Sequence, residues 1–129
     1  MDLEFMRRTS EKMFSMPMYA QIFTEHYRER FAQATDFSGE LMLAIEEVKQ
    51  HLASLDYRYT HGGNEHAMVV FADRVKHIVP MLKSLEKSTS RRASTLDGRL
   101  AATVIGTSLG TTKVLNDLAD EFCFPEPQI

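Results

Sequence analysis

Apolar residues recur at helical spacing along most of the chain, and no segment alternates polar and apolar residues long enough to predict a strand. The clearest row lies between residues 64 and 88, where steps of three and four residues place its members on one helical face. This row contains Met68, Phe71, Val75, Ile78, Leu82 and Leu85. Asn64 is a suitable N-cap for the predicted helix. Pro80 within it predicts a kink, or a break near Val79, because proline removes a backbone hydrogen bond.

A second row of the same kind predicts a helix over residues 38–59, with Ser38 as its N-cap. The row contains Leu41, Ile45, Val48, Leu52, Leu55 and Tyr59. A loop of His61, Gly62 and Gly63 follows it. Since glycine readily adopts the left-handed conformation that ends many helices, this loop predicts the C-terminus of the helix.

The last predicted helix spans residues 94–122 and begins with a capping-box pattern in which Ser94 is the N-cap and Asp97 the acidic partner. Its apolar face contains Leu100, Val104, Leu115, Leu118 and Phe122. Small residues recur every four positions in its middle, at Ala102, Gly106 and Gly110. Because a glycine costs a helix about 1 kcal/mol relative to alanine, this row predicts that another backbone approaches closely. The alternative is a break near Gly110.

Two shorter helices are predicted before residue 35, over 2–15 and 17–33, separated by the breaking sequence Ser15-Met16-Pro17. The second carries an aromatic row of Ile22, Phe23, Tyr27 and Phe31. Taken together, the five segments predict one all-α domain over residues 1–129. The expected architecture is an antiparallel four-helix bundle with a broken N-terminal helix.

Charge varies along the chain in a way that suits such a bundle. Residues 36–63 and 94–129 each hold five acids and two bases, whereas residues 64–93 hold three acids and six bases. A cationic helix can then pack beside two anionic ones, although exposed ion pairs stabilise a fold only slightly.

The composition indicates the compartment. With 129 residues, 43% of them hydrophobic and 26% charged, the chain resembles an ordinary globular domain. A single cysteine cannot form an internal disulfide and fits a reducing environment. No apolar run is long enough to span a membrane, and residues 1–4 do not resemble a secretory signal. These features predict a cytoplasmic protein with no membrane association.

The net charge of −3 argues against nucleic-acid binding, which normally requires a basic surface. A nucleic-acid-binding regulator is nevertheless a second alternative, because the basic residues of one region are grouped. They are Arg74, Lys76, Lys83, Lys87, Arg91 and Arg92.

A first alternative is a metal-binding or metal-sensing helical protein that uses His61, His66, Asp73 and His77. The last three stand seven and four residues apart, so they share one helical face. A solvated polar face is the preferred interpretation, because metal sites in bundles usually point into the core. No other cofactor is expected.

No nucleophile elbow or phosphate-binding loop is present, and the chain is predicted not to be an enzyme. Cys123 lies between Phe122 and Phe124. A cysteine in such surroundings is expected to be a buried space-filling residue rather than a nucleophile.

Methionine and aromatic residues are concentrated near the N-terminus. They are Met6, Met13, Phe14, Met16, Met18 and Tyr19. Flexible, polarizable methionines suit a surface that repacks against a partner. These residues therefore form either core or an interface with a protein partner or a second copy. The expected function is that of a small non-enzymatic interaction protein, such as a regulator, inhibitor, immunity factor or chaperone.

Overall fold

The computed structural model describes residues 3–90 and 97–128. Within these ranges the chain forms five α-helices and no strand, which confirms the all-α prediction. The helices are α1 (Leu3–Met13), α2 (Met16–Gln33), α3 (Phe37–Thr60), α4 (Glu65–Ser90) and α5 (Gly98–Glu121). Helix α4 continues through Pro80, so the predicted break near Val79 does not occur.

Contacts between side chains establish the helix directions. Tyr27 contacts Glu47 while Arg30 contacts Glu40, so α2 and α3 are antiparallel. In the same way Tyr59 stacks on Phe71 while Lys49 bonds to Glu86, so α3 and α4 are antiparallel. Helix α5 runs antiparallel to α2, because a Cβ on Gly106 would meet Thr24 and one on Gly110 would meet Ala20. Helices α2 to α5 therefore alternate in direction, as an up-down bundle requires, and α2 and α4 are parallel to each other.

Helix α5 is the most buried element of the fold and contacts all four of the others. Its two internal glycines lie directly against α2. A Cβ at Gly106 would stand 2.5 Å from the backbone nitrogen of Thr24, and one at Gly110 would stand 2.7 Å from that of Ala20. The predicted close approach of a second backbone is confirmed, and the alternative break near Gly110 is wrong.

The core has two clusters along the bundle. The first joins α2, α3, the end of α4 and the start of α5, and contains Tyr27, Phe31 and Ile105. The second joins Phe5 of α1, Tyr59 and Phe71 to the other end of α5. Burial of apolar area in both clusters drives folding.

The helix caps agree with the sequence at one of three positions. The amide of Ala67 donates to the Asn64 side chain at 3.0 Å, so the predicted cap of α4 is confirmed. For α3 the cap is Asp36, which accepts from the Gly39 amide at 3.0 Å; the prediction of Ser38 is wrong. Helix α5 is capped by Asp97 and begins at Gly98, whereas the predicted N-cap Ser94 lies outside the described residues.

Four residues expected in apolar surroundings are exposed. Ile22 is 55% exposed, Met68 42% and Leu100 58%, and Cys123 is also on the surface. Cys123 has a φ of 54°, which turns its side chain outward while Phe124 turns into the core. The expectation of a buried thiol is therefore wrong. The predicted apolar face of the last helix is therefore only partly correct, since Val104 packs on the core and Leu100 does not.

The C-terminal tail packs against its own helices. Phe124 is 5% exposed and meets the ring of Tyr59 edge-on, with 5.3 Å between the ring centroids. A Cβ on Gly62 would lie only 2.7 Å from the ring of Phe124, so the ring occupies the space that a side chain at position 62 would need. The loop glycines thus have different roles: Gly63 supplies the left-handed turn, with a φ of 72°, and Gly62 makes room for Phe124.

Candidate protein-binding surface

A row of apolar side chains faces solvent on the outer side of α2 and of the turn that precedes it. Phe14 is 86% exposed, Met18 53% and Ile22 55%. They are spaced four residues apart, and Ser15 has an α-helical conformation that keeps Phe14 one turn before Met18. We call these three residues the outer row. They lie opposite the face on which Ala20 and Thr24 contact α5.

The other predicted interface residues have more varied surroundings. Met6 is 43% exposed on α1. Met13 is half-buried and packs against the second core cluster. Met16 and Tyr19 are half-buried, and the ammonium group of Lys113 lies 5.7 Å from the centre of the Tyr19 ring. The structure therefore places Met6, Phe14 and Met18 on the surface and the remaining three partly in the fold.

The polar side chains of α1 are engaged within the chain. Arg7 pairs with Glu4 and Glu11 at 2.8 Å each. Arg8 and Lys12 both reach Glu121, at 3.0 and 3.2 Å, and so join α1 to the end of α5. These three basic side chains of α1 therefore already have acidic partners within the chain.

A second apolar feature is a cleft of about 410 Å³ between α3 and α4. Its α4 side carries Phe71, Val75 and Val79, again spaced four residues apart, together with Met68, Ala72 and Lys76. Its α3 side carries Asp56, Tyr59 and Thr60. The rings of Tyr59 and Phe71 stack at 5.1 Å, and burial raises the pKa of Tyr59. This cleft explains the exposure of Met68, which lies at its edge.

The four predicted metal ligands do not converge. His61 contacts the Tyr57 carbonyl oxygen at 2.8 Å through Nδ1, and its ring stacks on that of Tyr57. Asp73 pairs with Lys76 at 2.8 Å, and this ammonium group lowers the pKa of the carboxyl. In the part of the chain that the structure describes, no three His, Cys, Asp or Glu side chains lie close enough to hold a metal ion. Among the described residues, His66 and His77 therefore do not belong to a set of side chains that could hold a metal ion.

The predicted nucleic-acid-binding residues are only partly described. Arg74, Lys76, Lys83 and Lys87 lie on α4, whereas Arg91 and Arg92 lie outside the described residues. Lys76 is engaged by Asp73. The four described bases therefore lie on one helix.

Sequence reasoning missed Ile22 as a surface residue and the α3–α4 cleft altogether. The predicted aromatic row placed Ile22 together with Phe23, Tyr27 and Phe31, although adjacent residues of a helix point in different directions. The spacing of four residues from Met18 to Ile22 could have indicated that Ile22 belongs to the exposed row.

None of the helices in the described ranges has an apolar stretch suited to crossing a membrane. Comparison with protein-family models, curated proteins and solved structures finds no match to this chain.

Proposed function

We propose that this chain is a small non-enzymatic interaction protein that binds a protein partner through the outer row of α2. The observation that carries the proposal is the exposure of Phe14, 86%, in line with Met18 and Ile22. Single exposed apolar residues are common on protein surfaces and need no explanation. Three in one row, led by an aromatic ring, are typical of an interaction site.

The outer row contributes little to the fold. Helix α2 already buries its opposite face against α5, where Ala20 and Thr24 meet the two glycines. Covering the row with a partner would remove apolar area from water, which stabilises a complex by roughly 25 cal/mol per Å² before the costs of association. Methionine in the centre of the row permits repacking against the shape of the partner.

The mode of action that suits such a surface is occupation of a partner's own binding face, as in a regulator, inhibitor, immunity factor or chaperone. No step of this mode requires catalysis or a cofactor. The cytoplasm is the compartment that we propose, since the single cysteine is exposed and a reducing environment keeps it free.

The test places a photoreactive benzoylphenylalanine at position 14 in the native cells and identifies the cross-linked product by mass spectrometry. We expect one defined protein product, which is strongly reduced by Met18→Glu in the same chain. The matched control is Leu43→Glu, since Leu43 is 61% exposed on α3 and outside the row. This control leaves the product unchanged. Absence of a defined product, or a product indifferent to Met18→Glu, would contradict the proposal.

A further inference from the structure

We infer that the partner seated on the outer row is a second copy of this chain, which receives the row in its own α3–α4 cleft. The inference rests on the proposed function, because it requires the outer row to be a binding surface. A second copy fits because the outer row and the α3–α4 cleft match each other in length, spacing and flanking charge.

The match of the apolar residues is a match of helical ridges. The outer row places Phe14, Met18 and Ile22 at steps of four, and the cleft wall places Phe71, Val75 and Val79 at the same steps. Each set covers eight residue steps, which correspond to about 12 Å at the helical rise. Rows of side chains four residues apart are the ridges that interdigitate when two helices pack. The first row is convex and exposed, while the second lines a concavity.

The charges that follow each row are opposite in sign and equal in spacing. Glu25 and Glu29 follow the outer row on α2, and Lys83 and Lys87 follow the cleft row on α4. All four are exposed. Glu25 and Glu29 accept hydrogen bonds from the neighbouring amides of Gln21 and Gln33, and these bonds leave their charges unneutralised. When Ile22 lies against Val79, each of the two acids comes within one residue, about 1.5 Å along the helix, of the level of a lysine.

This order of residues also determines the orientation of the contact. In both rows the apolar residues come first and the charged residues follow in the N-to-C direction. Only a parallel arrangement of α2 with the second copy's α4 therefore places apolar residues against apolar residues and acids against lysines. An antiparallel arrangement would bring the acids against the apolar end of the cleft. Inside one chain α2 and α4 already run in the same direction. A copy rotated about the bundle axis therefore presents its α4 in the required direction.

The contact is heterologous, because it joins two different surfaces. Each chain keeps one row and one cleft, and each can engage a different neighbour. Assembly of this kind continues to a ring or an open chain of copies unless one surface is blocked. This property separates the inference from an ordinary two-fold dimer, in which the same surface is used twice.

The first experiment blocks each surface separately and measures mass by sedimentation velocity over a wide concentration range. Met18→Glu disables the row, and Ala72→Arg fills the cleft from an exposed position. We expect the unaltered chain to form concentration-dependent oligomers and each variant alone to remain monomeric. An equal mixture of the two variants forms a dimer and nothing larger, because one intact row meets one intact cleft. Leu43→Glu behaves as the unaltered chain.

The second experiment reverses the charges. Glu25→Lys with Glu29→Lys in one chain, or Lys83→Glu with Lys87→Glu in another, weakens association about tenfold or more, which corresponds to 1.4 kcal/mol or more. Mixing these two chains restores it, because every contact is again between opposite charges. Thermal melting of each variant, followed by circular dichroism, confirms that the fold is retained.

Three results would overturn the inference. An unaltered chain that stays monomeric at every concentration leaves no contact between copies. A mixture of Met18→Glu and Ala72→Arg chains that fails to associate excludes a row-in-cleft contact. Charge-reversed chains that do not restore each other exclude the parallel register. If in the same samples position 14 still cross-links one different protein in a Met18-dependent manner, the proposed function stands while this inference fails.

Discussion

Arg58 shows how one side chain can join three parts of the fold. Its side chain is only 4% exposed. One terminal nitrogen donates to Asn116 at 2.9 Å and to Asp120 at 2.8 Å, and the other donates to the Phe124 carbonyl oxygen at 2.9 Å. The guanidinium group therefore links α3 to the end of α5 and to the C-terminal tail. Only arginine presents several donors in a fixed planar fork of this kind.

Replacement of Arg58 is expected to destabilise the protein. In Arg58→Met the apolar stem is kept, but the Asn116 side chain and the Phe124 carbonyl lose their donor. We expect the free energy of unfolding to fall by about 1.5–3 kcal/mol, the range for a lost hydrogen bond to a charged group. Urea unfolding measures the difference. Arg28→Met, at an exposed position, is the control and should stay within about 0.5 kcal/mol of the unaltered protein. An equal effect of both changes would contradict this role of Arg58.

At the scale of the helix, the pairing of α2 with α5 is the closest contact in the bundle. Two glycines one turn apart allow the backbone of α5 to rest on Ala20 and Thr24. In most helices glycine is a weakness, because it costs about 1 kcal/mol relative to alanine. Here that cost is offset by dispersion contacts between two backbones that a Cβ would separate.

Alanine substitutions separate these two effects. In Gly106→Ala the new Cβ would lie 2.5 Å from the Thr24 amide nitrogen, so α2 and α5 must move apart. We expect a net loss of about 1–3 kcal/mol, as for other overpacked cores. In Gly98→Ala the nearest atom is a ring carbon of Phe37 at 3.8 Å, an ordinary contact. This control should leave stability unchanged or slightly raised. Thermal or urea unfolding compares them, and a stabilised Gly106→Ala variant would contradict the close contact.

Helix α2 also shows why a single helical row does not determine burial. One face carries Tyr27 and Phe31 in the core, and the opposite face carries the outer row. Periodicity therefore predicts the helix but is ambiguous about which apolar face lies inside. The neighbour on the inner side decides this, because Gly106 and Gly110 of α5 admit the backbone of α2.

For the whole molecule, two tyrosines make stability depend on alkaline pH. Burial, together with the hydrogen bond from its hydroxyl to Glu47 at 2.5 Å, raises the pKa of Tyr27 to about 12. Burial also raises the pKa of Tyr59, whose hydroxyl donates to the Leu115 carbonyl oxygen. In the unfolded chain a tyrosine has a pKa of about 10.

The sign of the effect follows from proton binding. Below about pH 10 both states keep their tyrosine protons. From there to about pH 12 the unfolded state releases a proton that folded Tyr27 retains, so the free energy of unfolding falls as pH rises. Urea unfolding across this interval measures the slope. We expect Tyr27→Phe to reduce it and Tyr57→Phe, at an exposed position, to leave it unchanged. Equal slopes in all three proteins would contradict the linkage.

The sequence by itself predicted the five helical segments, and it indicated a close approach at Gly106 and Gly110 with a helix break near Gly110 as the alternative. Both are local properties, since helical spacing belongs to one segment and a repeated glycine has few other uses inside a helix. It also identified Phe14 and Met18 as candidates for an interface, on the basis of residue type.

Only the tertiary structure decided which apolar residues are exposed and where residues of two different helices form a common surface. Ile22 and Met68 follow the helical pattern but lie on the surface, because burial depends on which neighbour faces each side of a helix. The cleft between α3 and α4 is formed by residues from two helices that are distant in sequence. Likewise, Arg58 can link α3 to α5 and to the tail only because the fold brings the oxygen atoms of Asn116 and Phe124 close to its guanidinium group. Such arrangements depend on how elements pack, and no single segment encodes them.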